Sequence, residues 1–138
     1  MKRLSLRAGI AASVLTVLLL SACGKTISDE HTIEDPASFE DGRVTMTEQA
    51  EQRLDIQTTA ITSIDGRLVV PSSALIVDPE GVFWVYTSPE PLVFVRERIR
   101  VARDEGERAF LTSGPPAGTE VVTVGVPELY GIEYEVGH

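Results

Sequence analysis

One cysteine, two histidines and three arginines at alternate positions are the residues of this chain whose types carry chemistry. Cys23 is the only thiol, so no disulfide forms within the chain. His31 stands among acids and His138 is the last residue, so neither sits where a third group would orient it beside a nucleophile. Met46 by itself falls short of the two or three sulfur ligands of a soft-metal site, and suits a core. Gly114 to Gly118 resembles no phosphate loop, because Pro115 and Pro116 lack the N–H groups such a loop uses. The residue types point to a non-enzymatic protein with no cofactor and no metal. Arg96, Arg98 and Arg100 share one face of an alternating stretch whose other face carries Glu97, Ile99 and Val101. That basic face is either a docking surface for an acidic partner or a solvated face answering Asp104, Glu105 and Glu107.

The elements that must position these residues are few. The chain has 138 residues, enough for one small domain, with 12 basic against 21 acidic side chains and a formal charge of -9. Nucleic acid is excluded as a partner, since an acidic chain cannot replace counterions along a phosphate backbone.

The N-terminus is basic, with Lys2, Arg3 and Arg7, and is followed by an uncharged apolar run, Ala8 to Leu20. As a helix this run rises about 20 Å, short of a hydrocarbon core of about 30 Å, so it reads as a secretory signal and not a permanent span. Leu20-Ser21-Ala22-Cys23 resembles the lipobox of bacterial lipoproteins. That resemblance implies cleavage between Ala22 and Cys23 and lipidation of the Cys23 thiol; the alternative is a cysteine that merely ends an ordinary signal peptide. Removal of residues 1–22 takes three basic residues and no acid, so the formal charge moves from -9 to -12. An anionic lipid surface repels such a body, and the lipid must hold it. Residues 23–43 read as an acidic flexible tether, with Asp29, Glu30, Glu34, Asp35, Glu40 and Asp41 and almost no apolar periodicity.

Residues 44–138 form the folded body. Thr45 and Glu48 stand at capping-box spacing, with Thr47 an alternative N-cap, and Ala50 and Leu54 share a face. This predicts one short N-terminal helix between Val44 and Ile56. From Ile56 the pattern is β: Ile56 to Thr62 is β-branched, Asp65-Gly66 is a hairpin turn, and Leu68–Val70 and Ala74–Asp78 are strands. Val82 to Thr87 and Leu92 to Val95 are apolar on both parities, which predicts a hairpin covered on both sides. Arg108–Thr112 and Glu120–Val124 add strands, and Leu129 to Val136 has strand-compatible spacing. The expected fold is mainly β, a small antiparallel β-barrel or sandwich.

Val70-Pro71-Ser72-Ser73-Ala74-Leu75 resembles the motif that opens the membrane-proximal domain of periplasmic adaptor proteins, the HlyD-like membrane-fusion subunits of RND (resistance-nodulation-division) efflux pumps. Trp84-Val85-Tyr86, Val93 to Val101, and Gly114 to Gly118 with Thr119 to Gly125 follow in the same order, most like the heavy-metal-efflux branch. Thr45 to Thr59 is similar to the segment that follows the tether in many adaptors. A full adaptor places a lipoyl-like domain, a helical hairpin and a barrel between these regions. Here Ile61 to Val70 leaves no room for them, and the methionine clusters of the heavy-metal branch are missing.

The resemblance implies a lipid-anchored accessory protein in transmembrane transport, docking on an RND transporter or a full-length adaptor through Arg96, Arg98 and Arg100. It also implies homo-oligomerisation, since adaptors act as multimers, and a periplasm-facing place at a membrane. Gly24 after the cysteine favours the outer membrane in some bacteria, whereas adaptors anchor at the inner one. The alternative is a small periplasmic ligand- or metal-binding lipoprotein that reuses an adaptor domain.

Overall fold

A computed structural model describes residues 35–136. The expected signal peptide, the expected cleavage and lipidation site at Ala22 and Cys23, and both histidines lie outside the described residues.

The body is mainly β, as expected. Ten strands make one antiparallel sheet, opened by a hairpin of β1 (Ala37–Glu40) and β2 (Arg43–Met46). Its turn is Asp41-Gly42, both in the left-handed region with φ of 51° and 76°, the pairing that a two-residue hairpin turn needs. Residues 37–43, expected in the tether, therefore belong to the folded body. The acids of this stretch mask a hairpin signal carried by Ala37, Phe39, Val44 and Met46, whose side chains alternate inward.

Helix α1 (Glu48–Leu54) follows, capped by Thr47, whose Oγ1 accepts from the Ala50 N–H at 3.2 Å. Thr45, Val44 and Met46 belong to strand β2 and not to the helix, because Met46 and Val44 are needed in the core. Then come β3 (Gln57–Ala60), β4 (Thr62–Ile64) and β5 (Arg67–Pro71), the last two joined by the expected Asp65-Gly66 turn. A 3₁₀ turn (Ser72–Ala74) and the short β6 (Ile76–Val77) stand where one strand over Ala74–Asp78 was expected, since Pro71 ends the ladder. The long hairpin of β7 (Phe83–Glu90) and β8 (Val93–Asp104), then β9 (Arg108–Ser113) and β10 (Glu120–Val124), complete the sheet.

The spatial order is β3-β10-β7-β8-β9-β5-β4. The two end strands, β3 and β4, are consecutive in the chain, so Gln57 to Ile64 runs from one edge of the curled sheet to the other. Ile61 is the pivot: its N–H donates to Thr119 O and its carbonyl accepts from Gly118 N, both at 2.8 Å. No ladder joins β3 to β4 among the described residues, so the curl is a half-barrel and not a closed one.

Residues 126–136, expected as a strand, form helix α2 (Val126–Val136). Val126 and Leu129, three apart, are 4% and 0% exposed, and Pro127 sits in the first turn, where its missing N–H costs nothing. Among the described residues the fold thus has two α-helices where one was expected. Gly125 precedes α2 with φ +87°, and a Cβ there would run into the Ile56 side chain.

Two apolar clusters lie on opposite faces of the same strands. Ile61, Val70, Ala74, Val85, Ile99, Ala109, Leu111 and Val121 fill the inside of the curl. Val44, Met46, Ala50, Ile76, Tyr86, Phe94, Val122, Val126 and Leu129 pack on the outer face beneath the helices. Hence Val82 to Thr87 reads apolar on both parities: Val85 serves one cluster and Tyr86 the other.

Candidate docking face

Helix α2 lies over the outer face of β7 and β8 and determines which arginines of β8 remain available. In the β7–β8 register Tyr86 pairs with Arg96 and Trp84 with Arg98, so these side chains share that face. Glu133 reaches down from α2, accepting from the Tyr86 hydroxyl at 2.5 Å and pairing with the Arg96 guanidinium at 2.9 Å. Arg96 also lies 4.5 Å from the centroid of the Trp84 ring. The Trp84 Nε1 donates to Asp78 at 2.8 Å, and Asp78 also accepts from the Val82 N–H at 2.8 Å.

This arrangement shifts several acid–base equilibria. Burial pushes the Tyr86 phenol well above its ordinary range, and the carboxylate of Glu133 beside it works the same way. Tyr130 is raised to about 12, first by its hydrogen bond with Tyr134 and then by desolvation; the two ring centroids lie 4.6 Å apart with the planes tilted by 48°. Desolvation works to raise the Asp78 carboxyl, but the donors from Trp84 and Val82 outweigh it and hold the group below its usual value.

Of the three arginines singled out by their spacing, Arg96 is therefore committed, its side chain 22% exposed and ion-paired under α2. Arg98 and Arg100 are exposed and make no ion pair among the described residues. With Gly81, Val82, Phe83, Ile99, Val101 and Thr112 they line an open depression of about 380 Å³. Two of the three acids expected to answer this stripe are engaged elsewhere, and the third, Glu107, makes no ion pair among the described residues. Glu105 pairs with Arg103 at 3.0 Å and Arg108 at 3.3 Å, while Asp104 accepts from the Ser72 hydroxyl and the Gly106 N–H at 2.5 and 2.9 Å.

The Ser72–Asp104 bond explains the residue types of the Val70–Leu75 motif. Val70 and Ala74 are fully buried inside the curl, Pro71 closes strand β5, and Ser72 ties the 3₁₀ turn to the end of β8. Spacing alone did not find Asp78, Glu133 or Tyr130. The signal for Glu133 was the 3–4 spacing of Val126, Leu129 and Glu133, which a strand reading of the same segment hides.

A second concavity, about 480 Å³, opens between α1, α2 and the start of β1, lined chiefly by Ala37, Ala50, Leu54 and Ile132 with Arg53 and Glu135 at its rim. Among the described residues no three His, Cys, Asp or Glu side chains converge as a metal ligand set, and no helix is long and apolar enough to cross a membrane. Compared with protein-family models, curated protein sequences and solved structures, the chain matches none.

Proposed function

We propose that this chain is a lipid-anchored, non-enzymatic accessory component of an RND-type efflux system. Its β domain docks on the transporter or on a full-length adaptor. The observation that supports the docking role is the pair of exposed, unpaired guanidiniums, Arg98 and Arg100, beside a depression on an otherwise acidic body. Two like charges held side by side on a strand, with no acid answering them among the described residues, favour an acidic partner surface, which gains both Coulomb attraction and faster encounter. The adaptor-like order of motifs and the lipobox-like Leu20 to Cys23 support the placement in the envelope.

The test is crosslinking of the tagged full-length protein in intact cells, followed by purification from solubilised membranes and identification of what accompanies it. An RND transporter or full-length adaptor is expected, captured by the natural chain and by Arg67→Glu, and lost in Arg98→Glu/Arg100→Glu. Absence of both pump components, under conditions that capture a known adaptor, would refute the role. A Cys23→Ala chain is expected to leave the membrane fraction.

One observation favours a second reading, a small-ligand-binding lipoprotein. The groove between α1 and α2, at about 480 Å³, lies within the size range of ligand pockets.

A further inference from the structure

Among the described residues, strand β1 is the one member of the β1–β2–β8 layer with an open side. Its register with β2 pairs Ala37 with Met46, Ser38 with Thr45, Phe39 with Val44 and Glu40 with Arg43. The Thr47 N–H donates to Pro36 O at 3.0 Å, which fixes the parity: residues 36, 38 and 40 turn their backbone groups toward β2. The N–H and C=O groups of Ala37 and Phe39 consequently point the other way, and among the described residues nothing pairs with them. Two donors and two acceptors in a row are a template for another strand.

What lies beside this edge defines what fits it. Ala37 belongs to both features, since its backbone is on the open edge and its side chain walls the apolar groove with Ala50, Leu54 and Ile132. A residue across from Ala37 or Phe39 projects from the same face of the sheet as they do, toward that groove, and is best apolar. A residue across from Glu40 projects to the exposed face and is best basic. A second copy of the chain is disfavoured. The antiparallel register that engages both residues of each strand sets Asp35 opposite Asp41 of the other copy twice over, a repulsion that opposed like charges always bring.

We propose that β1 is a β-augmentation site that takes an extended partner segment of alternating basic and apolar residues, independently of Arg98 and Arg100. Main-chain bonds to Ala37 and Phe39 give the affinity, and the groove and Glu40 choose the sequence.

The probe is an acetylated, amidated heptapeptide of alternating Lys and Val, added to the full-length protein in detergent micelles and followed by amide hydrogen exchange. Saturating peptide is expected to slow exchange at Ala37 and Phe39 by about tenfold or more, the equivalent of a net hydrogen bond each, and to leave Ser38 and Glu40 unchanged. The same peptide with N-methylated backbone, or with Glu in place of Lys, is expected not to bind. Ala37→Pro removes an outward N–H without touching the β2 ladder, and is expected to weaken binding about tenfold. Should that variant not fold, the N-methylated peptide still decides.

Absence of binding would overturn the proposal, as would equal binding of the N-methylated peptide. So would Ala37 and Phe39 amides already protected in the free protein, which would mean that the chain's own N-terminal segment or a second copy covers the edge.

Discussion

Replacing Glu133 by alanine tests whether one carboxylate fastens helix α2 to the sheet. Its side chain is 11% exposed, and it serves two partners, the Tyr86 hydroxyl and the Arg96 guanidinium. Tyr86 is 1% exposed, so its hydroxyl would be left buried with no acceptor, at a cost of about 1–3 kcal/mol. Arg96 keeps its seat on Trp84 and reaches water with the exposed part of its side chain, so its loss is smaller, on the order of 1 kcal/mol. Alanine recovers a few tenths of a kcal/mol through helix propensity. The balance is a destabilisation of about 2–4 kcal/mol, read by urea unfolding with an unchanged slope. Tyr86→Phe alone, which leaves Glu133 paired with Arg96, is expected to cost about 1–2 kcal/mol. In the double variant no orphaned hydroxyl remains, so the two losses fall short of additive by about 1 kcal/mol or more. A Glu133→Ala chain within about 0.5 kcal/mol of the natural one, the ordinary spread of surface substitutions, would refute this account, as would strict additivity.

The chain's three tyrosines give a pH signature. Tyr86 and Tyr130 have pKa values raised above the ordinary 10, so the unfolded chain loses their protons first and stability falls as pH rises above about 10. A 295 nm titration is expected to show one phenol that ionises only on unfolding, and Tyr86→Phe to abolish it. Gly125→Ala adds a left-handed alanine and a clash with Ile56, for a combined loss of about 2–4 kcal/mol in thermal or urea unfolding; Gly131→Ala, inside α2 with open space around it, is the control expected to stabilise by about 0.5–1 kcal/mol. The Asp104 carboxyl is held below its usual range by the Ser72 hydroxyl and then by the Gly106 N–H, so its contribution is present above about pH 4 and lost as pH falls through the lowered value. Asp104→Asn is expected to flatten the acid limb of the stability curve, and an unchanged acid limb would remove that carboxylate from the account.

The β-rich class was legible because its signals are local. Asp65-Gly66 supplied a turn, Thr47 a cap, and the double-sided apolarity of Val82–Thr87 and Leu92–Val95 announced strands covered on both faces. Helix α2 was not legible. Tyr130, Ile132, Tyr134 and Val136 satisfy a period of two, while Val126, Leu129 and Glu133 satisfy 3.6, and only the site available on the outer face decides between them. Strand β1 was hidden by its acids, since composition argued for a solvated tether while the Asp41-Gly42 turn argued for a hairpin. At the candidate docking face, spacing put Arg96, Arg98 and Arg100 on one side of β8. It could not distinguish them, because Arg96 owes its burial to a carboxylate 37 positions further along.

The two apolar clusters share their backbone. Val85 and Tyr86 are neighbours in the chain, as are Val121 and Val122, yet each pair divides between the two sides of the sheet. Neither cluster can come apart while the other persists, because opening either one withdraws the same strands from both. The body should accordingly melt in a single all-or-none step by every probe, with Trp84 fluorescence and backbone dichroism superimposable. The same sharing makes β7 intolerant of insertion. One extra residue there would send every side chain beyond it to the opposite face, exchanging the occupants of both interiors at once.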